Sequence, residues 1–395
     1  MYPAAAFPYP PAVTIAELHA NEELRRHEFP VCREKVYLAH AGVCPLPRRV
    51  ADAMTARVNA AQQDDQEASL PPNYIADTRR LAAAAIQAQP EEVAFVGPTS
   101  TALSYLAAGL NWRKGHNVVV YQDDYPSNVY PWMALEERGV EVRFVPAKEL
   151  GRIRLLDIQF TADTNTKVVA LASCHFLGGW RLNLEAIGKW LRAQNILFCV
   201  DGIQTLGAFP TLAPHFDLMA ADAHKWLLGP CAAGIMYVRR EVQDALKPIV
   251  HGWHNVKCPG FVTQDSLELR HDARRYEAGT HNLVGLAGLR AAFALLEEVG
   301  SENIARELAR KRNWLAPAIA AKGYEVLNPE TPPENTGSMV TFTRPGDNLA
   351  ALHGKLANQG IIASLRQTRD GRQWLRFSPH YYNTDAELHR AVELL

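Results

Sequence analysis

The sequence predicts an α/β fold built on a mostly parallel β-sheet. Short apolar runs such as residues 196–200 have the composition of strands that are buried on both faces. Longer segments rich in helix formers lie between these runs, so strand and helix alternate as they do in βαβ units. With 395 residues, the chain is long enough for two domains and a large core.

The composition argues against several classes of protein. Lysine and arginine number 41 against 42 aspartates and glutamates, a balance that favours neither nucleic acid nor an anionic membrane as a partner. No apolar run approaches the length of a membrane span, and the proline-rich N-terminus lacks the features of a signal peptide. The six cysteines contain no CxxC pair and predict reduced thiols. We therefore expect a cytoplasmic protein without a metal site.

The first elements are helical. Residues 14–30 predict a helix in which Thr14 and Glu17 form a capping box, and further helices are predicted over 46–61 and 74–88. From residue 282 onward, a long helix leads into a series of helices and strands that ends with a helix from Thr384.

A loop of small residues at 97–101 follows the strand predicted at 93–96 and precedes a helix. Free backbone N–H groups at a helix N-terminus, together with hydroxyl side chains, make an anion site. An ordinary serine or threonine N-cap is the alternative interpretation. The loop is not a Walker motif, and the chain contains no GxGxxG that would indicate a nicotinamide cofactor.

Two charged residues follow neighbouring apolar runs. Asp201 follows the run at 196–200, and Lys225 follows the run at 216–221. Ligands bind at the carboxyl ends of strands in open α/β sheets. A lysine that forms a Schiff base and an acid for the pyridine nitrogen are what pyridoxal phosphate requires. Taken singly, an ordinary Asp-Gly turn and a solvated lysine explain the same residues.

Three motifs carry a resemblance to a known family: VDGIQ at 200–204, ADAHKWLLGP at 221–230 and YEAGTHN at 276–282. In these the chain resembles the fold-type I pyridoxal-phosphate enzymes of aminotransferase class V. That family includes cysteine desulfurases, selenocysteine lyases, kynureninases and isopenicillin N epimerase-like proteins.

The resemblance implies a large domain with a mostly parallel seven-stranded sheet and a smaller α+β C-terminal domain. We expect an N-terminal arm and helix over 1–35, the cofactor-binding domain over 36–285 and the small domain over 286–395.

The resemblance also implies roles at the two strand ends. Lys225 would carry the Schiff base and then act as the general base or acid at the substrate's Cα. Asp201 would keep the pyridine nitrogen protonated, and Gln204 would bond the phenolic oxygen. His224 would lie near the phosphate. The role of Asp222 stays open, since a carboxylate beside a phosphate would be repelled.

Further cofactor contacts follow from the family's loops. Ser100 and Thr101 align with the phosphate-binding pair, and Tyr125 takes the place of a histidine that stacks on the ring. His175 stands where relatives contact the phenolic oxygen, although a buried structural histidine is the alternative. Thr280 aligns with a residue that reaches the partner's phosphate, which implies a homodimer with shared active sites.

The substrate side is predicted from both ends of the chain. Ala41 and Gly42 align with backbone beside the substrate, and Arg376 aligns with the arginine that binds the α-carboxylate. Arg366, Arg369 and Arg372 would suit an acidic substrate side chain, although the pattern favours a solvated turn.

We therefore expect an enzyme that acts on a free α-amino acid through an external aldimine, by amino transfer or by lyase chemistry at Cα or Cβ. A C–S lyase or an amino-acid epimerase is the alternative. Residues 364–374 contain no cysteine, which disfavours a persulfide-forming desulfurase. A sensor or scaffold with this fold is the non-enzymatic alternative, and the presence of Lys225, Asp201 and Arg376 argues against it.

Overall fold

The computed structural model describes residues 13–395, so the start of the predicted N-terminal arm lies outside the described residues. The helices are α1 Ile15–Ala20, α2 Glu22–Glu28, α3 Arg48–Ala61, α4 Tyr74–Ala85, α5 Thr99–Gly109, α6 Tyr130–Met133, α7 Leu155–Thr161, α8 Leu184–Ala193, α9 Leu283–Val299, α10 Ser301–Ala321, α11 Leu349–Asn358 and α12 Asp385–Glu393. Within this described range, no helix combines the length and apolar character that a bilayer span needs.

The strands form three sheets. They are β1 Val36–Tyr37, β2 Val93–Phe95, β3 Asn117–Val120, β4 Glu141–Phe144, β5 Thr166–Ala172, β6 Leu197–Asp201, β7 Leu218–Asp222, β8 Gly234–Val238, β9 Glu325–Val326, β10 Val340–Thr343, β11 Ile361–Ile362, β12 Ser364–Gln367 and β13 Gln373–Phe377.

The largest sheet has seven strands in the order β2-β8-β7-β6-β5-β3-β4. The neighbouring pairs from β7 to β4 are all parallel, and β8 runs antiparallel to both of its neighbours. The predicted mostly parallel seven-stranded sheet is therefore confirmed. Because parallel strands end at the same edge of a sheet, the residues that follow β3, β5, β6 and β7 collect along one side.

Both faces of this sheet are buried, which explains the uninterrupted apolar runs. In β6, Phe198 and Val200 pack into the core on one face, and Cys199 packs into the core on the other. Helices α3, α4, α8 and α9 cover the first face, and α5 and α6 cover the second. A strand covered on both sides shows no alternation of apolar and polar residues.

The C-terminal part forms its own four-stranded antiparallel sheet in the order β12-β13-β10-β9. Helices α10, α11 and α12 pack with this sheet around a separate apolar core. The segment after β1 is bonded to this C-terminal part, because the Ser378 N–H donates to the Leu38 carbonyl at 2.7 Å. These features confirm the predicted fold class.

The helix predicted over 14–30 is in fact two helices. Thr14 and Glu17 form the expected capping box on α1. Asn21 then adopts extended backbone angles, and its side chain caps α2 by accepting from the Leu24 N–H at 3.0 Å. Asparagine competes with the helical backbone through such bonds, so it divides the segment.

Two helical glycines provide a matched test of packing. A Cβ at Gly188 on α8 would lie 1.8 Å from the His215 carbonyl oxygen, whereas no described atom lies within 4 Å of a Cβ at Gly354 on α11. We expect Gly188→Ala to lower the free energy of unfolding by about 1–3 kcal/mol, because it overpacks a backbone contact. Gly354→Ala should raise it by roughly 0.5–1 kcal/mol through helix propensity. Urea unfolding measures both, and equal effects would contradict this account of the packing.

Candidate active site

A cavity of about 290 Å³ opens where the strands of the large sheet end. The predicted site residues that line it are Ala41, Gly42, Ser100, Tyr125, Asp201, Gln204, His224, Lys225 and Arg376. Thr101, His175 and Thr280 are not among its lining residues. Its volume is close to the lower end of the range of small-molecule sites, roughly 300–1,000 Å³.

Asp201 is the last residue of β6 and is buried. Its backbone carbonyl accepts from the N–H of Ser173 at 2.9 Å, and its Oδ1 accepts from the N–H of Ile203 at 3.0 Å. Oδ2 accepts no hydrogen bond from any described residue. The carboxylate is therefore held from one side and keeps an unused acceptor for a ligand in the cavity.

Lys225 lies three residues beyond β7, and hydrogen bonds fix the backbone on both sides of it. The His224 carbonyl accepts from the Cys44 N–H at 2.7 Å, and the Trp226 carbonyl accepts from His380 Nε2 at 2.9 Å. The His380 Nδ1 accepts from the Tyr381 N–H, which leaves the ring proton on Nε2. The lysine is thus presented to the cavity by a rigid segment.

Burial changes the charge of both strand-end residues. It lowers the pKa of Lys225 to about 8, and the Asp201 carboxylate partly opposes this change. Burial also raises the pKa of Asp201 to about 6, while the positive charge of Lys225 acts in the other direction. At neutral pH, a usable fraction of the lysine is a neutral amine while Asp201 is largely ionised.

Gln204 links this pair to the N-terminal segment. Its Nε2 donates to the Ala41 carbonyl at 3.2 Å, and its Oε1 accepts from the Trp226 indole N–H at 2.7 Å. One amide hydrogen remains for a ligand. These two bonds fix the amide orientation relative to Lys225.

The structure resolves the role of Asp222. This buried carboxylate accepts from the N–H groups of Ala223 and Ala232 and from Nδ1 of His224 at 2.8 Å. Asp222 therefore holds the loop that carries Lys225 and orients the His224 ring. Nε2 of His224 makes no hydrogen bond with any described residue, so it remains available at the cavity.

The N-terminus of α5 borders the cavity, as the small-residue loop predicted. No side chain in the described part of the chain caps this helix, and Ser100 lines the cavity. Thr101 instead lines a second cavity of about 280 Å³, because successive residues of a helix point in different directions. Thr99, which the sequence analysis did not select, also lines the first cavity, and its hydroxyl accepts from the Asp222 N–H at 2.9 Å.

The structure corrects the prediction for His175. Its Nε2 donates to the Asp123 carbonyl at 2.9 Å, and its Nδ1 accepts from the Gly178 N–H at 2.8 Å. Both ring nitrogens are therefore used by the backbone of adjacent loops. His175 has the structural role that was the alternative interpretation, and the next residue, Phe176, lines the cavity in its place.

Tyr125 lies at the cavity mouth and is 45% exposed. The Lys225 Nζ lies 5.2 Å from the centre of its ring, and Phe176 packs edge-on to it at 5.5 Å. A flat aromatic side chain therefore lies beside the lysine, and its stacking on the cofactor ring stays a prediction.

Arg376 lies on β13 and is buried beneath the cavity surface. Its guanidinium donates to the Phe176 carbonyl, and its Nη2 lies 3.5 Å from the Ser364 hydroxyl. Its Nε is buried without a hydrogen-bond partner among the described residues. Burial, followed by the charge of Arg366, lowers the pKa of Arg376 to about 9. Such a guanidinium is a ready site for a carboxylate.

Arg366 is the main residue that the sequence analysis misjudged. Instead of lying in a solvated turn, it lies on β12, is half-buried and lines the cavity. Arg369 and Arg372 do match the solvated-turn interpretation, because they pair with Asp123 at 3.5 Å and with Glu325, respectively. Arg366 differs from these two because it lies in the paired part of β12, whereas Arg369 and Arg372 lie between β12 and β13.

Thr280 is exposed and lies by the second cavity together with Thr101, away from the predicted residues that line the first cavity. The neighbouring Glu277 is buried and accepts from Arg79 Nη2 at 3.0 Å and from His281 at 3.1 Å. His254, Glu277 and His281 resemble a metal-ligand set. The hydrogen bonds from Arg79 and His281 occupy the carboxylate, which indicates a structural cluster.

A seven-stranded sheet with a lysine and an aspartate at adjacent strand ends defines a cofactor-dependent α/β enzyme site. The family model of aminotransferase class V matches residues 36–390. The chain belongs to this family, as its motifs predicted. Its members are pyridoxal-phosphate enzymes, so the predicted cofactor and the enzymatic character are confirmed with the family.

Individual relatives fit this assignment. A probable cysteine desulfurase of Methanothermobacter thermautotrophicus is 28% identical over 95% of this chain and 97% of its own length. The apo cysteine desulfurase of Thermococcus onnurineus is 23% identical and superimposes with a TM-score of 0.86 over 94% of this chain and 96% of its own. The cystine C–S lyase C-DES is 22% identical, with a TM-score of 0.83 over 93% and 98% of the two chains.

The residues present fit pyridoxal phosphate. Asp201 keeps an acceptor atom without a partner among the described residues, Lys225 is a buried amine, and α5 begins at the cavity with no side-chain cap from those residues. These are the groups that a pyridine nitrogen, an aldehyde and a phosphate require.

The electrostatics of Lys225 generate a testable prediction. In cofactor-free protein, acylation of Lys225 by an amine-reactive reagent should have its pH midpoint near 8. Asp201→Asn should lower this midpoint, because the aspartate favours the charged amine. Peptide mass spectrometry would follow the modification, with the exposed Lys189 on α8 as an internal reference. A midpoint in Asp201→Asn at or above that of the wild type would contradict the coupling.

Proposed function

We propose that the cavity binds pyridoxal phosphate through Lys225 and that the enzyme acts on a free α-amino acid held by Arg376. The observation that carries this proposal is that three buried groups, Lys225, Asp201 and Arg376, line one cavity of about 290 Å³. Lys225 and Asp201 are the groups that pyridoxal phosphate requires, and Arg376 is a group that a substrate carboxylate requires.

Different residues of the chain bind the different parts of the cofactor. When bound, pyridoxal phosphate supplies an aldehyde for amines and a ring that withdraws electrons from bonds at the substrate's Cα. Asp201, with its free Oδ2, pairs with the ring nitrogen and keeps its proton in place. Ser100, the first turn of α5 and the free Nε2 of His224 receive the phosphate. Tyr125 covers the ring from the cavity mouth.

Arg376 orients the substrate. Its planar guanidinium offers five N–H donors, and its protein partners leave several of them unused, including the buried Nε. A carboxylate can accept two of these bonds at once, which fixes the direction of the amino acid. Gly42 lies beside this guanidinium, and a Cβ there would be 3.9 Å from Arg376 Nη2. The small residue therefore keeps the approach open.

Lys225 moves the α-proton. Its lowered pKa gives a neutral amine that accepts a proton at Cα near neutral pH and can return it to a neighbouring atom. The hydrogen bonds of the residues on either side limit its motion, so only its flexible side chain travels. The products are then determined by what leaves from Cβ or by where the proton returns.

The reaction class follows from the β12–β13 hairpin. Its turn is tight, with the Thr368 N–H donating to the Arg372 carbonyl at 3.0 Å, and it contains no cysteine. No cysteine is among the residues that line the cavity. We therefore propose lyase or amino-transfer chemistry without an enzyme persulfide.

A C–S lyase is a second candidate with specific support. The C–S lyase C-DES acts on cystine and binds pyridoxal phosphate, and it shares this fold over most of both chains. A C–S lyase that releases its product directly has no need of the missing hairpin thiol. The same cavity residues would serve this reaction.

We also propose the homodimer implied by Thr280. This residue is exposed, and the preceding segment carries the exposed apolar side chains of Phe261, Val262 and Leu267. Contact with a second copy would cover these side chains and bring Thr280 to the partner's phosphate site.

A panel of amino acids tests the proposed reaction. Holoenzyme should convert at least one α-amino acid but not the corresponding amine that lacks the carboxylate. Ammonia with keto acid indicates a lyase, pyridoxamine phosphate indicates amino transfer, and formation of the opposite enantiomer indicates epimerisation. Lys225→Ala should lower turnover by about 10²–10⁴-fold, as expected for loss of a general base. Lys189→Ala, on the exposed face of α8, should not change it. Equal turnover of amine and amino acid would refute the role of Arg376.

A further inference from the structure

The cavity has an excess of positive charge near its substrate end. Arg366 and Arg376 both line it. Among the described residues that line the cavity, Asp201 at the end of β6 is the one with a carboxylate, and it lies beside Lys225. Among residues 13–395, neither arginine has an acidic side chain within salt-bridge distance. A half-buried and a buried guanidinium without a counter-charge are costly unless a ligand neutralises them.

The sheet register places these two arginines on one face. Ser364 pairs with Arg376, and Arg366 pairs with Trp374, so the two arginines are diagonal neighbours on adjacent antiparallel strands. Side chains two residues apart on a strand share a face, and diagonal neighbours are within reach of long side chains. A Cβ at Gly42 would lie 3.4 Å from Arg366 Nη2 and 3.9 Å from Arg376 Nη2. Both guanidiniums therefore border the same small space.

The protein bonds of the two arginines differ. Arg376 donates to the Phe176 carbonyl and is fully buried, so its position is fixed. Among the described residues, the Arg366 side chain makes one hydrogen bond, to the Leu365 carbonyl at 3.3 Å, and its other donors have no partner there. The fixed Arg376 suits the α-carboxylate, which all α-amino acids share. The freer Arg366 suits a group on the side chain, because the distance of that group from the α-carboxylate varies between amino acids.

From this geometry we infer that the substrate is an α-amino acid whose side chain carries a second acidic group, bound by Arg366. The inference rests on the proposed function and specifies its substrate class. Two anionic groups would neutralise the two guanidiniums, whereas a neutral side chain would leave Arg366 uncompensated. A single α-carboxylate shared by both arginines is the competing arrangement, and it predicts no preference for acidic side chains.

Wild-type holoenzyme gives the first test. Titration with L-aspartate, L-glutamate, L-asparagine and L-glutamine would be followed through the visible absorbance of the bound cofactor. We expect an acidic amino acid to bind at least about 10-fold more tightly than its amide, the effect of one charge-assisted contact. Equal affinity for acid and amide would overturn this inference and leave the proposed function intact. No spectral response to any of these four would overturn this inference, and no response across the wider panel of amino acids would overturn the proposed function as well.

Arg366→Gln tests the residue itself, and Arg372→Gln is the matched control from the same hairpin, since Arg372 pairs with Glu325 outside the cavity. Arg366→Gln should raise the Kd of the acidic amino acid about 10- to 100-fold and change that of its amide less than about 3-fold. Arg372→Gln should change neither. An equal loss for acid and amide would show that Arg366 binds the α-carboxylate and would overturn the inference. If Arg366→Gln does not retain the cofactor, the wild-type comparison of acid and amide decides.

Discussion

The site depends on the placement of a buried lysine next to a buried aspartate at the ends of two adjacent parallel strands. β6 and β7 are hydrogen-bonded neighbours, and Asp201 pairs in register with Ala220. Lys225 follows β7 by three residues. The position of each charge is therefore set by backbone pairing in the core, and neither side chain alone determines it. Burial then brings the pKa of the lysine down and that of the aspartate up, so both are poised near neutral pH.

The second sheet contributes Arg366 and Arg376 to the cavity and is held to this core by specific hydrogen bonds. Arg376 reaches from β13 to the Phe176 carbonyl, which lies in the loop after β5. His380, just beyond β13, donates to the Trp226 carbonyl beside the lysine. These contacts fix the distance between the Arg376 guanidinium and the Lys225 amine.

Much of this arrangement could be predicted because it is local in sequence. Strand ends, helix N-termini and the motifs around Asp201 and Lys225 can be identified from short stretches of sequence. Parallel strands then bring their carboxyl ends to one edge of the sheet. The wrong or incomplete predictions depend on long-range contacts. His175 is satisfied by the backbone of Asp123, about fifty residues earlier, and of Gly178. Arg366 is brought to the cavity by the register between β12 and β13. The placement of Thr101 has a local cause. It follows Ser100 on α5, so its side chain points in another direction and lines the second cavity.

We propose that pyridoxal phosphate is attached to Lys225, and every other role at the site depends on this bond. Reduction of the cofactor-loaded protein with borohydride, followed by digestion and peptide mass spectrometry, measures this attachment directly. We expect a single pyridoxyl group, on the peptide that contains Lys225. A pyridoxyl group on a different lysine, or a reduced protein that carries none, would contradict it.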